Sequence, residues 1–132
     1  MKFVKPLILS LFIASPAVAL APLHDVKEID DQMMAIAIAI EVSDKCGSIA
    51  PRTLKGLGFL WSLKDKASKM GYSDDEIRNY VDSDAEQARM RQKAYAYARN
   101  AGFDPTKASG LCALGKSEIA KGSLIGSFLR LK

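Results

Sequence analysis

The sequence has one histidine, His24, and two cysteines, Cys46 and Cys112, among its 132 residues. His24 lies in a short segment near the start of the chain, and we expect this segment to fray. A general base works in a pocket, so His24 is a poor candidate for catalysis. Without a positioned histidine, the serines have no evident activating partner. Two cysteines without a nearby histidine cannot complete a tetrahedral metal site. These absences argue against an enzyme and predict that the protein binds no cofactor and no metal.

Long runs of one charge sign are also missing. The net charge is +4, and Lys2 and Lys5 supply two of the positive charges in a segment that we expect to be removed. In the remainder, acidic and basic residues alternate without a block of five or six basic residues, the feature typical of nucleic-acid-binding tails. We therefore expect no nucleic-acid partner.

The first residues have the composition of a secretory signal peptide. A short basic start, residues 1–5, precedes the apolar segment 6–15, and Ala17-Val18-Ala19 follows Pro16. Signal peptidase requires small residues at this spacing, which predicts cleavage after Ala19, with Ala21 as the alternative. An uncleaved anchor is the rival, because residues 6–23 carry no charge and approach the length that spans a bilayer. We expect a signal peptide at residues 1–19, a single helical domain at residues 20–132 and a periplasmic location.

The two cysteines fit an exported protein. In an oxidising compartment, a chain with two cysteines most simply forms one disulfide. Closure of the long loop between Cys46 and Cys112 would stabilise the fold by about 4 kcal/mol in the chain-entropy model. Free or metal-ligating thiols are the alternative.

Apolar residues recur at helical spacing along the whole mature chain. The first helix begins at Val26 and ends before Gly47, although its alternating segment 35–40 also fits a strand. The second extends from about Arg52 to Met70. The third, at residues 74–100, begins with a capping box and is predicted to be continuous, with a break near residues 82–84 as the alternative, since Ser83 begins a second capping pattern.

Shorter apolar segments complete the chain. We expect a helix after Gly110 and a final apolar segment after Gly122, and no strand. The fold class is thus an all-α domain of four to five helices pinned by one disulfide. Residues 122–132 are expected to dock on their own domain, with a membrane surface as the alternative contact.

Four residues are candidates for contact with a partner or ligand. Arg52 follows the turn at Cys46 and is placed to pair with a carboxylate. The aromatic residues Trp61, Tyr72 and Tyr80 are spaced to line a pocket or a binding patch, although aromatic residues at helical spacing ordinarily pack in a core. The acidic motif at residues 82–86 lacks the glycine and the twelfth-position glutamate of a calcium loop and is expected to be a solvated helix face.

One ordered set of residues resembles a family of small exported alphaproteobacterial proteins of unknown function. It comprises Cys46, Pro51-Arg52, Gly71-Tyr72-Ser73, Glu76-Ile77, Leu111-Cys112, Gly115 and Glu118-Ile119. The resemblance covers about residues 25–130 and carries no catalytic pattern. Genes of relatives often lie among those for the respiratory NADH dehydrogenase, so the resemblance implies an accessory or assembly role on the periplasmic side.

Two functions follow as hypotheses. The first is a non-enzymatic periplasmic protein that binds another envelope protein. The second is a helical module that binds a small ligand around Trp61, Tyr72 and Tyr80, and this hypothesis requires a pocket of several hundred Å³.

Overall fold

The computed structural model describes residues 19–132, so the predicted signal peptide lies outside the described residues except for Ala19. The described chain forms six α-helices and two short strands after a 3₁₀ turn at Leu23–Asp25: α1 (Lys27–Lys45), β1 (Ile49–Pro51), α2 (Thr53–Lys69), α3 (Asp74–Asp82), α4 (Asp84–Asn100), α5 (Ala108–Lys121), α6 (Leu124–Ser127) and β2 (Leu129–Leu131). Because α6 has only four residues, the prediction of an all-α fold with four to five helices is confirmed.

Helix α1 lies at the centre of the fold and contacts α2, α4, α5, α6 and β1. Two hydrophobic clusters meet along it. The larger one joins α1 to α4, α5, α6 and the strands, and it includes Val42, Ala98, Leu114, Phe128 and Leu129. The smaller one joins the 3₁₀ turn and the start of α1 to α2 and α3, and it includes Leu23, Ile29, Leu63, Tyr72 and Ile77. The N-terminal segment is therefore docked, whereas the sequence predicted a frayed end.

The disulfide between Cys46 and Cys112 is present, with the two Cα atoms 5.1 Å apart. Cys46 directly follows α1 and is buried, and Cys112 lies in α5. The bond spans 66 positions of the sequence, and the loop that it closes contains β1, α2, α3 and α4. The two helices that it joins, α1 and α5, also pack on each other, so the bond reinforces an existing contact.

The prediction of no strands was wrong. β1 and β2 pair antiparallel, with Ile49 opposite Leu131 and Pro51 opposite Leu129. The pairing is long-range, and each strand has only three residues, too few for a period-two pattern to show. Pro51 is tolerated because an edge strand has one side without ladder hydrogen bonds. This ladder docks the C-terminal segment on its own domain, as expected, with Phe128 and Leu129 buried.

The prediction of one continuous helix over residues 74–100 was also wrong, and the alternative break is correct. Ser83 has extended backbone angles between α3 and α4, and its Oγ accepts a hydrogen bond from the Glu86 N–H at 3.1 Å. The serine cap satisfies an N–H of the new first turn, which makes a second helix start favourable there. The capping box at Ser73 and Glu76, which starts α3, is formed as predicted.

Glycines in α2 do not mark a close contact. Gly56 and Gly58 each cost about 1 kcal/mol relative to Ala in a helix, a cost that an approaching helix or an irregular first turn would explain. Instead, α2 is regular through both positions, and a Cβ built at either residue would meet nothing within 4 Å. The space beside both glycines is open.

Candidate functional site

The outer face of α2 carries large apolar side chains that nothing in the described chain covers. Leu54 is 87% exposed, Trp61 67% and Leu57 49%. The Lys64 ammonium lies 5.6 Å from the centre of the Trp61 ring, within the range of a cation–π contact. A cluster of exposed residues of this kind is typical of an interaction surface.

Next to this face, three hollows follow α1. The first, of about 310 Å³, lies between α2 and α3, and Trp61 and Tyr80 are among its lining residues. The second, of about 350 Å³, lies between α1 and α4. The third, of about 270 Å³, lies between the C-terminal half of α1 and the start of α2.

The three hollows are neighbours because each pair of them shares lining residues. Met33 borders the first and second hollows, Ile36 and Ile40 border the second and third, and Leu57 and Leu60 border the first and third. We call this surface the apolar groove, with α1 as its floor, α2 as one wall and α3–α4 as the other. Predominantly apolar side chains line it, as is typical of binding sites.

Three of the four predicted contact residues border the groove. Trp61 and Tyr80 both line the first hollow. Tyr72 does not, because it is buried and its hydroxyl donates a hydrogen bond to the Ala21 carbonyl. Arg52 borders the third hollow, but its Nε donates to the Leu129 carbonyl at 3.1 Å and makes no ion pair within residues 19–132. The predicted carboxylate partner of Arg52 is thus absent from the described part of the chain.

A buried carboxylate lies beneath the second hollow. Asp30 is 2% exposed, and its oxygens accept hydrogen bonds from the guanidinium of Arg89, from the Lys93 ammonium at 2.6 Å and from the Tyr80 hydroxyl at 2.7 Å. Burial is the largest influence on its pKa and would raise it, but these donors together outweigh burial and lower the pKa of Asp30. The carboxylate is therefore held ionised.

The same network reaches the N-terminal segment. Arg89 also donates to Glu86 at 2.9 Å, and the other Glu86 oxygen lies 2.8 Å from His24 Nδ1. Burial raises the pKa of Glu86, but the hydrogen bonds from Arg89 and His24 outweigh it and lower that pKa. Glu86 and Arg89 are three positions apart, a spacing at which side chains on a helix pair. No local pattern indicates that Asp30 joins them, because Asp30 follows Ile29 at the edge of the apolar stripe and fits a solvated first turn equally well.

A second buried carboxylate closes the other end of the fold. Glu118 has no exposed surface and accepts hydrogen bonds from Tyr97 at 2.8 Å, from Lys121 at 2.9 Å and from the Ser123 hydroxyl. Burial raises its pKa, but Ser123, Lys121 and Tyr97 outweigh burial and lower the pKa of Glu118. Burial, followed by the hydrogen bond to Glu118, raises the pKa of Tyr97 to about 12.

Neither carboxylate has the properties of a catalytic acid or base. Each is ionised, hydrogen-bonded to several donors and inaccessible to a substrate, whereas general acid–base catalysis needs a group within reach of the reacting atom. Within residues 19–132, no three His, Cys, Asp or Glu side chains form a group that could hold a metal ion. None of the helices described here is both long and apolar enough to cross a membrane.

The fold and the groove define a class: a small, disulfide-pinned helical domain with an exposed apolar surface. The chain belongs to the family of unknown function DUF5333, which it matches over residues 21–130. The resemblance seen in the sequence is thereby confirmed as membership of a family without an assigned function. No significant match is found among curated proteins or among solved structures.

Proposed function

We propose that this protein is a non-enzymatic accessory protein of an oxidising compartment, the periplasm, and that it binds another envelope protein through the apolar groove. The observation that carries this proposal is the exposure of Leu54, Leu57 and Trp61 beside the groove. An exposed tryptophan with exposed leucines on the same helix is costly to leave in water, and tryptophan is the kind of residue that dominates binding energy at interfaces.

The disulfide supports the proposed oxidising compartment, since disulfides persist in oxidising environments and are rare where thiols are kept reduced. The apolar start of the sequence is consistent with export. The first partner to test is the respiratory NADH dehydrogenase, and the family resemblance described above is the only support for that choice.

Site-specific photo-crosslinking in intact cells tests the proposal. A photoreactive amino acid is placed at Leu57 or Trp61 in a C-terminally tagged protein, and also at the exposed Lys116 of α5, outside the groove, as the control. Products from the periplasm and from solubilised membranes are identified by mass spectrometry. We expect positions 57 and 61 to label the same envelope protein and position 116 not to label it. Unlabelled monomer at both groove positions, or the same products at all three, would contradict the proposal.

A small ligand is the second candidate, and the first hollow favours it because aromatic side chains line a space of about 310 Å³. That volume is at the lower limit for ligand pockets, and such pockets normally add a few convergent polar groups. The Tyr80 hydroxyl is already bonded to Asp30. Native mass spectrometry of the protein purified from the periplasm tests this alternative, which predicts a bound molecule that is lost on Trp61→Ala.

A further inference from the structure

We infer that export processing cuts the chain between Ala19 and Leu20, and that residues 20–25, which we call the clasp, then tie the junction of α2 and α3 and the first turn of α4 to the start of α1. This inference rests on the export that is part of the proposed function. It decides between the two cuts that the sequence allows, after Ala19 or after Ala21.

The first anchor of the clasp is a backbone carbonyl. Tyr72, at the junction of α2 and α3, is 7% exposed, and its hydroxyl donates a hydrogen bond to the Ala21 carbonyl at 2.5 Å. Leu20 lies beside the same junction, since a Cβ on Gly71 would be 3.3 Å from Leu20 Cδ1. A cut after Ala21 would remove both residues and take this acceptor away from the Tyr72 hydroxyl, which is unfavourable for a buried donor.

Further anchors follow along the clasp. Pro22 precedes the 3₁₀ turn, and its carbonyl accepts the Asp25 N–H at 2.9 Å. Leu23 is 5% exposed and belongs to the smaller hydrophobic cluster. His24 Nδ1 lies 2.8 Å from a carboxylate oxygen of Glu86 in α4. The contacts of the clasp therefore begin at the second residue after the first cut and would be incomplete after the second cut.

The chemistry of the two candidate bonds favours the same cut. Both bonds have small residues at the first and third positions before the cut, Ala17 and Ala19 for the first bond and Ala19 and Ala21 for the second. The second bond ends at Pro22, whose ring occupies the nitrogen that a protease must release and removes its N–H. Signal peptidase acts before the chain folds, so the sequence determines the cut, and the fold then uses the two residues that this cut preserves.

The mass of the exported protein tests the cut. The full chain with a C-terminal tag is produced in cells, recovered both from the periplasm and from solubilised membranes, and measured intact by mass spectrometry. We expect the protein to begin at Leu20. A protein that begins at Pro22, lighter by one leucine and one alanine, or a chain that keeps residues 1–19, would overturn the inference.

Two aspartate variants separate the candidate bonds. Ala17→Asp places a charge three positions before the first cut, and Ala21→Asp places one directly before the second cut, where small residues are required. The clasp holds residue 21 through its backbone carbonyl, and this residue is exposed, so Ala21→Asp should fold. We expect Ala17→Asp to accumulate as unprocessed chain and Ala21→Asp to be processed like the wild type. The reverse result would overturn the inference.

Hydrogen exchange of single amides, measured by NMR on the processed protein, tests the clasp itself. The Asp25 N–H is bonded within the clasp and should exchange about fivefold faster in Tyr72→Phe, because opening of the clasp no longer breaks the bond to Ala21. The control is Tyr95→Phe in α4. Within residues 19–132 the tyrosine hydroxyl bonds belong to other tyrosines, so this variant should not change the rate.

Each result has a defined meaning. Equal exchange in the wild type and Tyr72→Phe would overturn the clasp. If Tyr72→Phe does not fold, His24→Ala, which removes the anchor at Glu86 from a side chain that is 37% exposed, carries the same prediction. The partner proposal is tested separately by the photo-crosslinks from positions 57 and 61. Those crosslinks can fail while the protein begins at Leu20, and they can succeed while it does not.

Discussion

At the scale of single residues, the feature that sets this domain apart is a carboxylate, Asp30, buried beside the groove among basic side chains. Arg89 and Lys93 belong to α4 and Tyr80 belongs to α3. The carboxylate of Asp30 in α1 therefore hydrogen-bonds to two helices that lie at least 44 positions later in the sequence. Burying a charge is costly unless donors surround it, and a variant that removes one partner leaves the others unsatisfied.

Replacement of Asp30 by Asn should lower the free energy of unfolding at pH 7 by about 2–3 kcal/mol. This range is below the usual cost of breaking a buried ion pair because the side chains of Arg89 and Lys93 remain 32% and 31% exposed. Urea unfolding measures the change. Asp31→Asn is the control, since within residues 19–132 the half-exposed Asp31 forms an ion pair only with Lys93, and its loss should change stability by less than about 1 kcal/mol.

The stability difference between the wild type and Asp30→Asn should also depend on pH. Because the folded-state pKa of Asp30 is lowered from its ordinary value of 3.8, its stabilisation is present above that value and is lost as the pH falls through the folded-state pKa. The difference in unfolding free energy between the wild type and Asp30→Asn should therefore stay constant from pH 7 to about pH 5 and shrink below pH 4. A difference that persists unchanged at pH 2 would show that the charge of Asp30 is not the cause.

Tyr97 predicts the opposite dependence at alkaline pH. Burial and the Glu118 carboxylate raise its folded-state pKa from 10.0 to about 12, so its stabilisation is full below pH 10 and is lost between pH 10 and 12. Tyr97→Phe should cost about 1–2 kcal/mol at pH 8 through the lost hydrogen bond, and this cost should diminish by pH 11 in urea unfolding. Tyr95→Phe, on the same helix, removes a hydroxyl without a hydrogen bond in the described chain and should be close to neutral.

At the scale of helices and strands, glycines show where helices touch and where they do not. A Cβ on Gly115 of α5 would lie 2.5 Å from Val42 Cγ1 and 2.7 Å from Ile49 Cδ1, whereas one on Gly58 of α2 would meet nothing. Helix α5 therefore packs on α1 and β1 at glycine distance, and α2 presents its glycines to open space.

The same substitution should thus have opposite effects in the two helices. Gly115→Ala should destabilise the domain by about 1–3 kcal/mol, because the core there has no room for a methyl group. Gly58→Ala should stabilise it by about 1 kcal/mol through helix propensity alone. Thermal unfolding followed by circular dichroism measures both effects. Equal shifts in the same direction would mean that packing at Gly115 is looser than the structure shows.

How much of this could be predicted from sequence depended on the range of the interaction. Local signals identified the helices: the cap at Ser73 and the apolar spacing of α1. The break at Ser83 was visible as an alternative. The sequence could not show its consequence, which is that Tyr80 and Arg89 both reach the carboxylate of Asp30.

Long-range contacts could not be predicted. The β1–β2 pair and the burial of Asp30 depend on residues tens of positions apart, and no local pattern indicates such contacts. Trp61 and Tyr80 line one hollow, whereas Tyr72 belongs to the cluster that Tyr80 packs against but is buried beneath the surface. Spacing alone does not show how deeply an aromatic ring is buried.

At the scale of the whole molecule, the single crosslink divides the chain into a loop and two ends. Both walls of the groove, α2 and α3–α4, belong to the loop, whereas its floor α1 lies outside. Replacing both cysteines by alanine should lower the free energy of unfolding by about 3–4 kcal/mol, as expected from loop closure.

Urea unfolding of the double-alanine variant, beside the wild type with and without reductant, measures that loss. The reduced wild type and the variant should agree with each other, and the helical circular dichroism of both should be retained at low temperature. A variant as stable as the oxidised protein would mean that α1 and α5 constrain the loop without the bond.

The position of the crosslink also determines where tension travels through the protein. A pull applied at Leu20 and Lys132 passes along α1, crosses the sulfur–sulfur bond to α5 and leaves through the C-terminal segment. Once β2 has separated from β1, the loop closed by the disulfide, with a sequence separation of 66, carries no load, and about 230 Å of contour length stays stored at the force that extends the rest. The two walls of the groove would then be shielded from mechanical strain on the chain ends as long as the bond stays oxidised.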